Sequence, residues 1–363
     1  MINGHGGNVL ALAARLGRPP ESFLDFSNNL HCLGQEITGR LVRGVSVSFR
    51  HYPDPDNTRL TERIADHEGV SPDTVLTGNG SSELIYLALQ ALKPENALII
   101  APIFSEYTAA CEALDIPYRL HVLAESGLFR LQACDIARIA KHGHDCVILC
   151  SPNNPTGAAY TSLHQLLGKL RCKSLLADHT YREFLYGQDS YSMHACGRYA
   201  ALMPQPARVV GIMSFTKFFS CPGLRLGYAL SDTETVDAMR RRKAPWTVPS
   251  HAEDLGIALL DNIGTYRGLA ASLPPLRQRF AEALEALPMV EEIIPSNVNF
   301  LFVRLKPEYP ARALFGHLLE RNIVIRVCDN IPGVEGNYIR LQVRPDKDHE
   351  ILLRAMRSFA KTA

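Results

Sequence analysis

The chain has 363 residues, 46% of them hydrophobic and 21% charged, with a formal net charge of +1. That is enough apolar material for one large domain or two unequal ones. A net charge so near zero provides no field to gather nucleic acid or an anionic membrane, so neither is expected as a partner and any anion must be captured locally. No run of about 20 apolar residues occurs, residues 1–7 carry neither the basic nor the apolar region of a signal peptide, and the cytoplasm is the expected location.

The nine cysteines are unevenly spaced, odd in number and without a CxxC pair, which reads as free thiols in a reducing compartment. His142, His144, Cys146 and Cys150 are the one group with metal-ligating residue types. Because 146–150 reads as a buried strand, where cysteine behaves as a small hydrophobe, no metal is expected there.

Taken in order, the first segment opens with Gly4-His5-Gly6-Gly7-Asn8, continues through an amphipathic turn (Val9, Leu10, Leu12, Ala13, Leu16) and ends in Leu24-Asp25-Phe26-Ser27-Asn28-Asn29. Its glycines and asparagines either offer donors to an anion or belong to a poorly ordered terminus. A turn-rich stretch, Arg50-His51-Tyr52-Pro53-Asp54-Pro55-Asp56-Asn57, precedes a predicted helix over 58–68. From Val75 strands and helices alternate. Strand 75–77 leads through Gly78-Asn79-Gly80-Ser81-Ser82 into a helix ending near Leu92, and strand 97–100 precedes a helix over 105–114. Strand 118–123, helix 133–141, strand 146–150, helix 162–170 and strands 174–177, 208–213 and 226–230 complete the set. The pattern predicts an α/β fold with a largely parallel sheet. After Pro245-Trp246-Thr247-Val248-Pro249, helical patterns run over 252–287, and a smaller α+β unit follows with strands near 300–305, 323–327 and 338–343. The expected division is an N-terminal segment (1–35), a large domain (36–250) and a small C-terminal domain (251–363).

Ligands in such sheets bind beyond the carboxyl ends of the strands. Gly80, Ser81 and Ser82 lie between a strand and a helix, where backbone N–H groups can hold a phosphate, although a Gly-Asn-Gly turn is also an ordinary connection. Phe104 could stack on a planar ring, Asn154 in Ser151-Pro152-Asn153-Asn154-Pro155-Thr156-Gly157 offers an amide, and Asp178, with Tyr181 three residues on, ends a strand. Lys217 stands among Phe215, Phe218 and Phe219, and burying an unpaired ammonium is expensive. Its amine is either a structural strand-end charge or, with a lowered pKa, a nucleophile for an aldehyde. Ser214 and Arg225 flank it with a hydroxyl and a guanidinium suited to a phosphate. Arg326, Arg340 and Arg344 sit on or beside the small unit's strands, either as edge charges or as a bidentate grip on carboxylate or phosphate.

Phosphate loop, ring, amide, carboxylate, lysine and arginine in this order resemble the aspartate aminotransferase superfamily, the fold type I pyridoxal phosphate enzymes. The likeness covers nearly the whole chain. It is strongest to the branch holding histidinol-phosphate aminotransferase and threonine-phosphate decarboxylase of cobalamin biosynthesis. The decarboxylase side is suggested by His5-Gly6-Gly7-Asn8, Leu24-Asp25-Phe26-Ser27 with Asn29, Pro245-Trp246-Thr247-Val248, and Ile325-Arg326 through Pro332-Gly333 to Tyr338-Ile339-Arg340. The resemblance implies a large domain with a mainly parallel seven-stranded sheet, pyridoxal phosphate as cofactor, and a homodimer sharing its active sites. It implies that Lys217 is the Schiff-base lysine, that Asp178 pairs with the ring nitrogen, that Asn154 and Tyr181 meet the ring's 3′ oxygen, and that Phe104 stacks on the ring. Gly80, Ser81, Ser82, Ser214 and Arg225 would form the phosphate cup, with Tyr52 contributed by the second subunit. Arg340 would take the substrate's α-carboxylate or phosphate, and His5, Gly6, Asn29 and Arg326 would hold the remainder of a small phosphorylated amino acid.

The implied reaction is decarboxylation of O-phospho-L-threonine to (R)-1-aminopropan-2-yl phosphate. The alternatives are an O-phospho-L-serine decarboxylase, a histidinol-phosphate-type aminotransferase, and a non-enzymatic binding module. The chain departs from the pattern at His31-Cys32 (usually Asn-Pro), His179-Thr180 (usually Glu-Ala) and Ser81-Ser82 (usually Glu-Thr).

Overall fold

The computed structural model describes residues 6–46 and 50–361. In chain order the strands are β1 (Leu24–Asp25), β2 (Val75–Gly78), β3 (Ala97–Ala101), β4 (Tyr118–Val122), β5 (His144–Cys150), β6 (Cys172–Asp178), β7 (Arg208–Ser214) and β8 (Gly227–Leu230). They continue with β9 (Val290–Ile294), β10 (Phe300–Leu305), β11 (Ile323–Val324), β12 (Arg326–Val327) and β13 (Tyr338–Gln342). Strands β2 to β8 form a seven-stranded sheet in the order β2-β8-β7-β6-β5-β3-β4. Strand β8 runs antiparallel to both β2 and β7, and the remaining pairs are parallel, as the sequence leads one to expect.

The central strands are buried on both faces, and their side chains alternate between two cores. Val147, Leu149, Leu175 and Ala177 join the larger core, while Cys146, Ile148, Cys150 and Leu176 join the smaller one on the opposite face. The thiol of Cys146 is pushed up to about 12 by burial, and His144 donates from Nε2 to the Ile139 carbonyl at 3.0 Å. Both therefore pack as strand residues.

The predicted helix over 58–68 is α3 (Thr58–Glu68), after α1 (Val9–Leu16) and α2 (Gln35–Gly44), and the helix after the glycine turn is α4 (Gly80–Leu92). The stretch expected as helical over 252–287 is three helices, Ser250–Asp261, Ile263–Ala270 and Leu273–Glu285. The helix expected over 162–170 shortens to Leu163–Leu167, ending at Gly168. Helix α2 and strand β9 were not anticipated; the half-polar Val-Glu-Glu-Ile-Ile of β9 lacks the apolar run that marks a central strand.

The C-terminal unit is an antiparallel sheet in the order β12-β13-β10-β9. The strand expected over 323–327 divides at Ile325: β11 pairs in parallel with β1, and β12 pairs with β13. The N-terminal segment is thus sewn into this unit. Leu24 and Phe26 donate to the carbonyls of Asn322 (2.7 Å) and Val324 (2.8 Å), and Gln342 donates back to the Phe26 carbonyl (2.8 Å). That pairing brings residues 26–31 across the carboxyl ends of the main sheet.

Candidate active site

Five connections at those strand ends converge on one cavity of about 170 Å³. The first is the β2–α4 turn. Gly80 opens α4 with a φ of 74°, and a Cβ there would lie 2.7 Å from Nη2 of Arg225, so only glycine admits the guanidinium this close. Ser81 and Ser82 line the cavity at the N-terminus of α4, where amide N–H groups lack intrahelical partners. Phe104 and Ser105, after β3, and Asn154, after β5, add a ring, a hydroxyl and an amide. The two adjacent asparagines have separate jobs. Asn153 is fully buried and ties the loop together, donating to the Pro102 carbonyl at 2.8 Å and accepting from Thr156, whereas Asn154 faces the cavity and its Oδ1 accepts from Nη1 of Arg340.

Asp178 is the last residue of β6 and is 5% exposed. Burial pushes its carboxyl above the ordinary carboxylate range, opposed by Thr180, whose amide donates to Oδ1 at 2.8 Å. No Lys or Arg pairs with it among the described residues. A buried carboxylate without a cation is costly, and a protonated ring nitrogen is the kind of partner it lacks. Tyr181 follows, its hydroxyl accepting from Nδ2 of Asn29 at 3.3 Å. The segment is anchored from behind: Arg182 grips Glu68 of α3 with both Nη groups (3.0 and 2.6 Å), and Arg267 pairs with Glu183 (2.7 Å).

Lys217 lies in the short helix Phe215–Phe218 after β7, capped by the Ser214 hydroxyl, which accepts from the Thr216 amide at 3.2 Å. Its Nζ donates to the Asn28 carbonyl at 2.9 Å. Burial first, then the charges of Arg340 and Arg225, lower its pKa to about 8, against a small opposing pull from Asp25. Residues 27–31 strap this helix down. His31 donates its amide to the Lys217 carbonyl (3.0 Å), and the Ser220 hydroxyl donates to the His31 carbonyl (2.6 Å). The His31 ring stacks on Phe218 with centroids 5.4 Å apart and donates from Nδ1 to the Phe218 carbonyl, and burial lowers its pKa to about 4. His179, the other histidine at a departure from the family pattern, donates from Nδ1 to the Ser151 carbonyl at 2.7 Å and is held neutral by burial. Both histidines are structural wedges rather than cavity residues, whereas Thr180 of the second departure lines the cavity.

Arg326 and Arg340 are directly opposite each other across β12 and β13 and both line the cavity. Arg340 also donates to the Ser27 carbonyl at 3.0 Å, and its Nε is buried without a partner. With Lys217 and Arg225 they put four cationic side chains around one carboxylate. None of the four makes an ion pair among the described residues. The cavity fits pyridoxal phosphate on these grounds: a glycine turn and helix N-terminus under Arg225, a buried carboxylate with no cation paired to it among the described residues, and an amine of lowered pKa.

Most of the expected residues meet here: Gly6, Ser81, Ser82, Phe104, Asn154, Asp178, Tyr181, Ser214, Lys217, Arg225, Arg326 and Arg340 all line the cavity, with Gly80 behind Arg225. Asn29 does not, Tyr52 is expected to serve the partner's site rather than this one, and His5 lies outside the described residues. Asn29 has a φ of 56° and turns its amide onto Tyr181, so it is a support and not a wall. Tyr52 is 82% exposed, its ring 5.0 Å from that of Trp246, and it is not among the residues that line this cavity. Arg344 turns away and pairs with Asp348 at 2.9 Å. Asn28 belongs to the segment whose asparagines were read as possible anion donors, whereas sequence reasoning missed Ser27, Ser105, Thr180, Thr216 and Ile331 in the lining. Only Thr180 carried a signal, its position two residues past Asp178 being that of an Asx turn.

Residues 25–359 match the family model for aminotransferase class I and II. The chain is 33% identical to a threonine-phosphate decarboxylase of Salmonella typhimurium over 98% of its own length and 96% of that protein's. It is 29% identical to a histidinol-phosphate aminotransferase of Desulfitobacterium hafniense, covering 88% of this chain and 86% of the other. Among solved structures, a decarboxylase from Sulfurospirillum multivorans superposes with a TM-score of 0.85 at 23% identity, over all of this chain and 94% of that one.

Proposed function

The chain belongs to the class I and II aminotransferase family of pyridoxal-phosphate enzymes, and from that premise we propose that it decarboxylates a small phosphorylated amino acid, O-phospho-L-threonine, to (R)-1-aminopropan-2-yl phosphate and CO2. The observation that carries the reading is the cross-strand pair Arg326–Arg340 beside Lys217 and Arg225. Like charges directly opposite on a sheet destabilise it, so two guanidiniums facing one cavity call for anions. The cofactor phosphate falls to Arg225 and the helix N-terminus, which leaves Arg326 and Arg340 for a substrate with two anionic groups, a carboxylate and a phosphate. The relatedness to a threonine-phosphate decarboxylase supports the same substrate class.

When bound, pyridoxal phosphate supplies an electron sink for the pair released from the breaking bond. Asp178 holds a proton at the ring nitrogen. Asn154 and Tyr181 would hold the ring at its 3′ oxygen, Phe104 would cover its face, and Gly80, Ser81, Ser82, Ser214 and Arg225 would hold its phosphate. Arg340 fixes the α-carboxylate and Arg326 the distal phosphate, so that remote binding energy sets which bond at Cα stands ready to break. In the decarboxylation the Cα–carboxylate bond breaks, CO2 leaves without its electron pair, and Lys217 delivers a proton to Cα. The protein acts in the cytoplasm as a homodimer in which Tyr52, exposed in its own chain, completes the partner's phosphate cup.

Product assays on cofactor-loaded protein test this. O-phospho-L-threonine should yield CO2 without any keto acid, and Lys217→Ala should abolish it. Glutamate formed from amino donor and 2-oxoglutarate in the sense of transamination, with no CO2, would sink the decarboxylase in favour of a histidinol-phosphate-type aminotransferase.

A further inference from the structure

Most of the side chains that line the cavity carry a polar or charged group. Beside the rings of Phe104 and Tyr181, the methyls of Thr180 and Thr216 and the stems of the lysine and arginines, the lining holds one purely aliphatic side chain, Ile331. Ile331 follows Arg326 by five residues on the loop leaving β12, and its neighbour Asn330 accepts from Nη2 of Arg326. An aliphatic group lining the same cavity as an arginine pair adds nothing to anion capture. It offers a dry patch for hydrocarbon carried next to an anion.

We propose that Ile331 is the specificity-determining residue that distinguishes a phosphorylated secondary alcohol from a primary one, contacting the methyl by which O-phospho-L-threonine differs from O-phospho-L-serine. This rests on the decarboxylase reading above. The methyl sits on the carbon bearing the phosphate ester, so an aliphatic side chain that shares the cavity with Arg326, and whose neighbour Asn330 is held by Arg326, is where the methyl can be buried. The wall is also rigid. Ile331 is only 7% exposed, and its carbonyl accepts from Val334 at 3.0 Å in a tight turn. The Pro332 carbonyl accepts from Ile103 at 3.3 Å, next to Phe104. Gly333 has a φ of 80°, and a Cβ there would come within 2.7 Å of the Ala101 Cβ, so the turn sits flush on the end of β3. A preformed wall gives the methyl its full contact without an ordering cost.

The test compares kcat/KM for CO2 release from O-phospho-L-threonine and O-phospho-L-serine in wild type, Ile331→Val and Ile331→Ala. One methyl in an apolar contact is worth about tenfold or more in discrimination. The threonine-to-serine ratio should fall about threefold in the valine variant and about tenfold in the alanine variant. The change should lie mainly in KM, with the phosphoserine value within about twofold of wild type. Calorimetric binding of the two substrates to cofactor-loaded Lys217→Ala protein should shift in the same ratio. A purely structural role lowers both substrates together, so an unchanged ratio overturns the assignment of Ile331 while leaving the decarboxylase standing. No CO2 from either substrate in wild type overturns both. Ile331→Val, which removes one methylene, keeps the comparison valid if the alanine variant fails to fold.

Discussion

Lys217 shows how much chemistry one buried position can hold. Its pKa of about 8 is set first by burial and then by Arg340 and Arg225, so the folded chain gives up the lysine's proton more readily than the unfolded chain does. Between about pH 8 and the ordinary 10.5 the unfolded state binds a proton that the folded state has released. Stability of the cofactor-free protein should therefore rise with pH across that window, and the cost of the charged lysine is fully present below about pH 8. The shift corresponds to at most about 3 kcal/mol. Lys217→Met should melt higher than wild type at pH 7, and the gap should close as pH approaches 10.5. Differential melting curves of the two cofactor-free proteins check this, and a gap independent of pH would remove the desolvated lysine as its cause. The same titration predicts that reloading with pyridoxal phosphate, followed by absorbance, speeds up as pH rises through about 8. This residue was legible in the sequence because three phenylalanines announce burial. His31 and His179 were not: their roles as wedges depend on carbonyls of Phe218 and Ser151, which no local pattern reveals.

At the scale of elements, the strands of the main sheet were legible because a strand buried on both faces reads as an unbroken apolar run. The strap over the lysine helix was not. It rests on successive carbonyls at 26–30 meeting Gln342, Arg340, Lys217 and Asn299, partners separated from it by about half the chain or more. The phosphate cup depends in the same way on a close approach. Strand β8 begins at Gly227, where an added Cβ would lie 2.8 Å from the Met213 carbonyl and 3.1 Å from the backbone of Gly80 and Ser81. Those backbone atoms cannot move without moving α4. Gly227→Ala should therefore open the cup, weakening pyridoxal phosphate binding by about tenfold or more, in line with a loss of about 1.4 kcal/mol or more. Gly223→Ala is the control, since nothing lies within 4 Å of its added carbon. Equilibrium dialysis of the cofactor against both variants decides the matter, and equal binding by the two would show that the close packing at Gly227 does not shape the cup.

For the whole molecule, a formal charge of +1 conceals a strongly uneven distribution. Four cations and one carboxylate crowd the cavity, so composition excludes a diffuse anionic partner yet is silent about a local one. One expected group is still missing from that cavity. Tyr52 is 82% exposed and packs against Trp246, itself 47% exposed, and exposed paired aromatics are typical of interface anchors. In the proposed homodimer each Tyr52 serves the other chain's phosphate cup, which makes complementation possible. Tyr52→Ala and Lys217→Ala homodimers should each be impaired, the second completely. Mixed and reassembled, they give heterodimers in which one site lacks both groups and the other has both intact. Random assembly makes half of the dimers mixed, so about a quarter of the wild-type sites should recover. Decarboxylation rising to that level on mixing, and sedimenting with the dimer, supports the shared site. Activity that stays at the average of the two parents places Tyr52 outside the partner's cup, because a site built from one chain gains nothing from exchange.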